Sequence, residues 1–148
     1  MERIKITLPA HFTFTASLTI RVTDLNYGGH VGNDTFLSLI HEARQQFLYH
    51  HGYTEFQFEG TSLIMLDAAI EFKKEMNYGD NIHIHVAATG FDKYGFDVFY
   101  KLEIIKGDDK TLAGKAKTGM LCYDYTAKKI TSVPEKAKEE LGARGGNK

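Results

Sequence analysis

The sequence predicts an α+β fold, a five-stranded antiparallel sheet wrapped around one long central helix. Three observations predict it. A single segment after residue 33 carries a strong helical apolar stripe. The stretches on either side of it alternate or cluster as strands. The only two prolines, Pro9 and Pro134, lie near the ends, so nothing interrupts the core between about Phe12 and Thr131.

Phe14 to Val22 carries Thr, Leu, Ile and Val in loose alternation and reads as the first strand. Asp24-Leu25-Asn26-Tyr27-Gly28-Gly29-His30 is rich in turn formers and reads as a loop. Asn33, Asp34 and Thr35 can each cap a helix. Beyond them Phe36, Leu39, Ile40, Ala43 and Phe47 share one helical stripe, which runs to about His50 before Gly52 stops it. Ser62–Glu75 is a long strand candidate marked by Leu63, Met65, Ile70 and Phe72, and Asn77-Tyr78-Gly79-Asp80 is a turn. Asn81–Gly90 sets His83 and His85 against Ile82, Ile84 and Val86. Phe96–Ile105 places Val98, Tyr100, Leu102 and Ile104 on one face, and Gly107 to Asp109 turns the hairpin. Thr111–Tyr125 is the last long strand, with small residues at Ala113, Gly114 and Ala116. Pro134–Leu141 is a short charged helix, and Gly142–Lys148 reads as a disordered tail, leaving one domain over residues 1–141. An amphipathic helix must bury its stripe, and the strands that follow offer the surface to cover it.

The chain has 148 residues, 43% of them hydrophobic and 25% charged, so it is globular and long enough to fold without a metal or disulfide. Eighteen basic residues against nineteen acidic ones leave a net charge of −1, which argues against nucleic acid as a partner. One cysteine, Cys122, excludes an internal disulfide and a cysteine-cluster metal site. The histidines lack the acids and spacing of a closed metal site, so no metal is expected. No apolar run approaches a membrane span or a signal peptide, and a cytoplasmic location is expected.

The loop Asp24 to Asn33, followed by His41-Glu42-Ala43-Arg44 on the helix, resembles the hotdog-fold acyl-CoA thioesterases of the 4-hydroxybenzoyl-CoA thioesterase type. In element order the resemblance covers roughly residues 14–125. It implies hydrolysis of a thioester between an acyl group and coenzyme A or an acyl-carrier protein, with coenzyme A part of the substrate and no separate cofactor. It also implies homodimers, often paired into homotetramers, with two helices side by side under a continuous sheet and active sites at the dimer interface. Many members carry an aspartate four residues before the histidine. Here Asn26 takes that place, and the acid is Asp24. Enediyne-type polyketide thioesterases of the same fold also carry asparagine there. Asn26 cannot act as a nucleophile or general base.

Thioester hydrolysis needs a polarised carbonyl, an activated water and a stabilised oxyanion. Gly28 and Gly29 lead toward a helix N-terminus, so amides from Gly28 through His30 to Val31 are the expected oxyanion donors. Asn26 would donate to the carbonyl or hold the water, or else close an Asx turn. Glu42 lies about 240° round the helix from Phe36, on the flank of the stripe, and is the expected general base if half-buried there. Arg44 falls inside the stripe and needs a partner: an acid across a dimer interface, or the substrate. His30 would contact substrate or lock the loop, His41 would be exposed, and Asp24 would brace the loop. Tyr27, Phe36, Phe56, Phe58 and Tyr94 could line an acyl or pantetheine tunnel, although ordinary core packing explains most of them. Lys73, Lys74, Lys93 and Lys101 are candidates for the coenzyme A phosphates. Two rival functions remain. One is a non-catalytic acyl-CoA binder. The other is an enoyl-CoA hydratase or dehydratase, for which Asp24-x-Asn26 is a partial match, with Tyr27 in place of proline and His30 one residue late.

Overall fold

The computed structural model describes residues 1–144. In chain order it has β1 (Phe14–Thr19), a single 3-10 turn (Val22–Asp24), α1 (Asn33–His50), β2 (Ser62–Phe72), β3 (Asn81–Thr89), β4 (Gly95–Lys106), β5 (Asp109–Asp124), β6 (Lys129–Ile130) and α2 (Glu135–Lys138). The main sheet is antiparallel, in the order β1-β3-β4-β5-β2. The five expected strands are therefore present, and the two-residue β6 adds a sixth along the end of β5.

The sheet curls round α1 because one face of each central strand is apolar. Ile82, Ile84, Val86, Val98, Tyr100, Leu102, Ile104, Ala116, Met120 and Cys122 are all buried. They meet Phe36, Leu39, Ile40, Ala43 and Phe47, the five residues of the expected stripe, all buried as well. Small side chains on β5 let the helix approach closely. A Cβ on Gly114 would stand 2.7 Å from Cζ of Phe36 and 2.9 Å from the Glu71 carbonyl oxygen. Cys122 is buried in this core, where desolvation pushes its thiol up to about 12.

Several boundaries differ from expectation. The first strand stops at Thr19, because Asp24 pulls the chain into the 3-10 turn by accepting from the Arg21 amide at 2.8 Å. β2 stops at Phe72 rather than Glu75, because the Lys73 and Lys74 amides both fold back onto the Ala113 carbonyl. A bulge between Met65 and Asp67 bends β2, one of the two outer strands of the sheet. Gly32, not a side-chain cap, precedes α1, and no side chain caps that terminus. The last helix has one regular turn, and a wider helical turn continues to Arg144. That turn takes in Gly142 to Arg144, which the sequence reading placed in the tail, and residues 145–148 lie outside the described residues. No helix among the described residues is long and apolar enough to cross a membrane.

Candidate active site

The loop between the 3-10 turn and α1 holds itself in shape. Asn26 Oδ1 accepts from the Gly28 amide at 2.8 Å and from the His30 amide at 3.4 Å, which closes an Asx turn. The Gly29 amide donates to the Asn26 carbonyl, and Gly29 takes the left-handed φ of 81° that this turn requires. Asp24 is buried beneath the loop and braces it, as expected, through Arg21 and through its own carbonyl, which accepts from Gly32. The far side of the loop is pinned to the β2–β3 turn. The Val31 amide donates to the Met76 carbonyl at 3.0 Å, and His30 Nδ1 lies 2.8 Å from Asn77 Oδ1.

This bonding changes which amides can receive a ligand. All four expected donors, from Gly28 to Val31, already have acceptors inside the protein. The first amide bonded within α1 is that of Phe36, to the Gly32 carbonyl. Among the described residues, the amides of Asn33, Asp34 and Thr35 have no acceptor. The positive end of the helix is thus displaced by two or more residues from the expected position.

A cavity of about 420 Å³ lies at this end. Asn26, Tyr27, Gly28, His30, Val31, Asn33 and Phe36 line one side of it, and Phe72 to Met76 line the other. Loop and helix start therefore come together as expected, with fully exposed Tyr27 at the rim and buried Phe36 as floor. Of the four candidate lysines, Lys73 and Lys74 line the cavity. Lys101 is paired with Glu103, and Lys93 lies over the Tyr94 ring.

Glu42 is not brought to this cavity. It is exposed on the other flank of α1, facing a separate cavity with Ser17, Thr19, Arg21 and Asp24, and Gln46 donates to its Oε2 at 2.8 Å. The half-buried setting expected for it is absent in the single chain. The histidine and the carboxylate on the loop cavity are instead His30 and Glu75, whose Oε2 lies 3.4 Å from His30 Nε2. Glu75 and Asn77 escaped sequence reasoning because they are distant in the chain and belong to no local motif.

Arg44 is buried, as its place in the stripe demanded, and it finds its acid within the chain rather than across an interface. Its Nε donates to Glu55 at 2.9 Å and an η nitrogen donates to the Tyr100 hydroxyl at 3.0 Å. Burial works against the guanidinium charge, but Tyr100 and Glu55 outweigh it and hold the group above its ordinary value. His41 is exposed and touches the same glutamate at 3.4 Å. Phe58 is core, whereas Phe56 and Tyr94 are exposed away from the loop cavity. Among the described residues no cluster of three or more His, Cys, Asp or Glu could hold a metal.

Comparison with known proteins gives this geometry a context. The family model described as the thioesterase-like superfamily matches residues 20–141. A 1,4-dihydroxy-2-naphthoyl-CoA hydrolase from Microcystis aeruginosa is 29% identical over 126 residues, covering 83% of this chain and 88% of that one. The crystal structure of a 1,4-dihydroxy-2-naphthoyl-CoA thioesterase from Synechocystis superposes with a TM-score of 0.77 at 20% identity, covering 86% of this chain and 94% of the other. An aspartate-to-asparagine mutant of 4-hydroxybenzoyl-CoA thioesterase, complexed with 4-hydroxybenzoyl-CoA, superposes with a TM-score of 0.78 at 16% identity, covering 87% and 98%. These superpositions identify the sheet-wrapped helix as the hotdog fold.

Proposed function

The chain belongs to the thioesterase-like superfamily, and from that premise we propose that it hydrolyses the thioester of an acyl-coenzyme A with an activated water. The observation that carries the reading is the row of unpaired amides, Asn33 to Thr35, at the start of α1, where Asn33 lines the loop cavity. An N-terminus of this kind favours negative charge and aims N–H groups at it. A thioester carbonyl seated there would be polarised, and the oxyanion formed on water attack would be stabilised.

The remaining parts are assigned on the same cavity. Asn26 spends its Oδ1 on the loop, so its amide nitrogen is the end that would face the carbonyl or the water. With Nδ1 donating to Asn77, His30 keeps Nε2 as a base, and Glu75 would stabilise the imidazolium. Water adds to the carbonyl carbon and gives a proton to His30. The tetrahedral intermediate then collapses, the carbon–sulfur bond breaks, His30 returns its proton to the sulfur, and coenzyme A leaves as the thiol with the acyl group as its acid. Lys73 and Lys74 would meet phosphates at the rim. An acyl-carrier thioester would present the same reacting bond.

A second reading of the base follows from the position of Glu42. It enters this scheme only if a second copy of the chain brings it to the loop. A homodimer, alone or paired as a tetramer, is part of the proposal, since the outer strand β2 leaves Met65, Leu66 and Phe72 exposed. We place the enzyme in the cytoplasm, where coenzyme A esters are made and consumed. The test is a panel of acyl-CoA esters with free thiol detected by a chromogenic reagent. Release at a rate that saturates with ester supports the reading. Binding without release would make the protein an acyl-CoA binder, and loss of the conjugated double bond of an enoyl-CoA would make it a hydratase.

A further inference from the structure

A cavity of about 460 Å³ lies between the hairpin that follows α1 and the end of β5, and it shares no residue with the loop cavity. Its volume falls within the range of small-molecule sites, about 300–1,000 Å³. Phe56, Glu59 and Ser62 line it from the hairpin side, and Tyr123, Asp124 and Tyr125 from β5 and the turn beyond. Side chains tie the two sides together. Thr61 Oγ1 donates to the Tyr123 carbonyl at 2.9 Å, and Ser62 Oγ donates to the Phe56 carbonyl at 2.9 Å. The hairpin closes in two residues, with Phe58 and Thr61 exchanging backbone bonds around Glu59 at φ 51° and Gly60 at φ 84°. Glycine, asparagine or aspartate usually takes the first of those two positions. Here it is a glutamate, which sets a carboxylate on the cavity.

The lining combines aromatic rings with negative charge. Phe56 is 76% exposed and Tyr125 53%, although their ring centroids are only 6.1 Å apart. The two rings are tilted by 41°, and Tyr123 meets Tyr125 edge-on at 4.9 Å. Phe56 and Tyr125 therefore do not stack face on face, and the face of an aromatic ring is its negative pole. Glu59 Oε2 accepts from the Tyr53 hydroxyl at 2.6 Å, and Asp124 Oδ1 accepts from the Thr126 and Ala127 amides. Each carboxylate keeps its other oxygen without a partner among the described residues. No lysine, arginine or histidine among the described residues lines the cavity. Lys136, 82% exposed, comes no closer to Glu59 Oε2 than 4.0 Å, which is a weak pairing.

We propose that this cavity binds the alkylated ammonium headgroup of a small organic cation, held by the rings of Phe56 and Tyr125 and by the carboxylates of Glu59 and Asp124. Such a headgroup spreads its charge over methyl groups, which lie against ring faces and need no hydrogen-bond acceptor. The carboxylates add the opposite charge. A metal ion fits less well, because ring faces offer it no ligand atom and no cluster of three or more His, Cys, Asp or Glu is present among the described residues. An anion would meet two carboxylates with no lining cation to offset them, so a second phosphate site is excluded. The site is independent of the thioesterase reading, since its residues take no part in the loop cavity.

The experiment titrates the full chain with choline and, in parallel, with 3,3-dimethylbutanol, its uncharged carbon analogue, at constant ionic strength. The readout is the side-chain NMR shifts of Phe56, Tyr123 and Tyr125. Choline is expected to shift these rings saturably, with a Kd of about 1 mM or below. The uncharged analogue has the same shape and is expected to bind at least about tenfold more weakly, since it lacks the attraction to ring faces and carboxylates. Glu59→Gln keeps an acceptor for Tyr53 and removes the charge, and Phe56→Ala removes an exposed ring. Each is expected to weaken choline binding about fivefold. Thermal melts and circular dichroism confirm that each variant is folded, and the comparison of the two probes needs no variant. Equal affinity for the charged and uncharged probes would overturn the inference. So would choline titrations in which these rings never saturate, or an affinity unchanged in both folded variants. Thiol release from acyl-CoA esters is read separately, so the thioesterase reading stands or falls on its own test.

Discussion

His30 Nδ1 lies 2.8 Å from Asn77 Oδ1, which ties the loop before α1 to the turn between β2 and β3. The tie is reinforced by the Val31 amide on the Met76 carbonyl. Two segments more than forty residues apart therefore form opposite walls of one cavity. The side chain that joins them is also the histidine that lines that cavity.

His30→Ala is expected to lower kcat by about a hundredfold, the ordinary contribution of a positioned base. Glu42→Ala is expected to cost far less, because Glu42 faces the other flank of the helix. Steady-state thiol release for the two variants is the measurement. A reversal of the order would transfer the role to Glu42 of a second copy.

Asn26→Ala removes the acceptor for two loop amides as well as the side-chain donor. A fall in kcat of about tenfold or more is expected. Stability should drop by about 1 kcal/mol, seen as a lower urea midpoint with unchanged slope. Asn26→Asp keeps the acceptor, so the loop and the urea midpoint are expected to survive.

Gly114→Ala places a methyl group against Phe36 and the Glu71 carbonyl. The backbone cannot yield easily, so Phe36 must move toward the loop cavity that it lines. A destabilisation of about 1–3 kcal/mol is expected, with a higher KM for any accepted ester. A wild-type KM in a destabilised variant would show that the helix shifts instead.

Glu103 supplies a pH dependence. Burial opposes its ionisation, but His85 at 2.6 Å and Lys101 at 3.7 Å outweigh it and hold the carboxyl below its ordinary value. A depressed carboxylate contributes stability above its unfolded value, lost as pH falls through the folded one. Stability is therefore expected to decline as pH drops below about 4.3, the unperturbed glutamate value. Glu103→Gln should flatten that part of the acid limb in urea titrations at several pH values.

The fold was largely legible because its signals are local. The stripe from Phe36 to Phe47 and the alternation from Ile82 to Val86 each report a face within a few residues. The candidate site was legible only in part. Asn26, Gly28 and His30 stand in one short loop, and the structure gathers them. The spent amides of Gly28 to Val31 could not be foreseen, since one acceptor is Met76, far along the chain. Arg44 announced that it needed a partner, but Glu55 and Tyr100 are supplied by tertiary packing. That the loop cavity opens away from Glu42 depends on the packing of residues 72–76 beside the loop, which no periodicity reports.

The opening residues of the chain also bear on the mouth of the cavity. Ile6 is buried against the sheet, its amide donates to the Glu71 carboxylate, and Lys115 reaches its carbonyl. Glu71 in turn holds Lys73, a cavity residue, at 3.1 Å. The leading arm is thus a splint laid across the end of the outer strand. Anything that lifts it, a bulky fusion at Met1 or proteolytic trimming, slackens the rim on which a phosphate-bearing substrate would land.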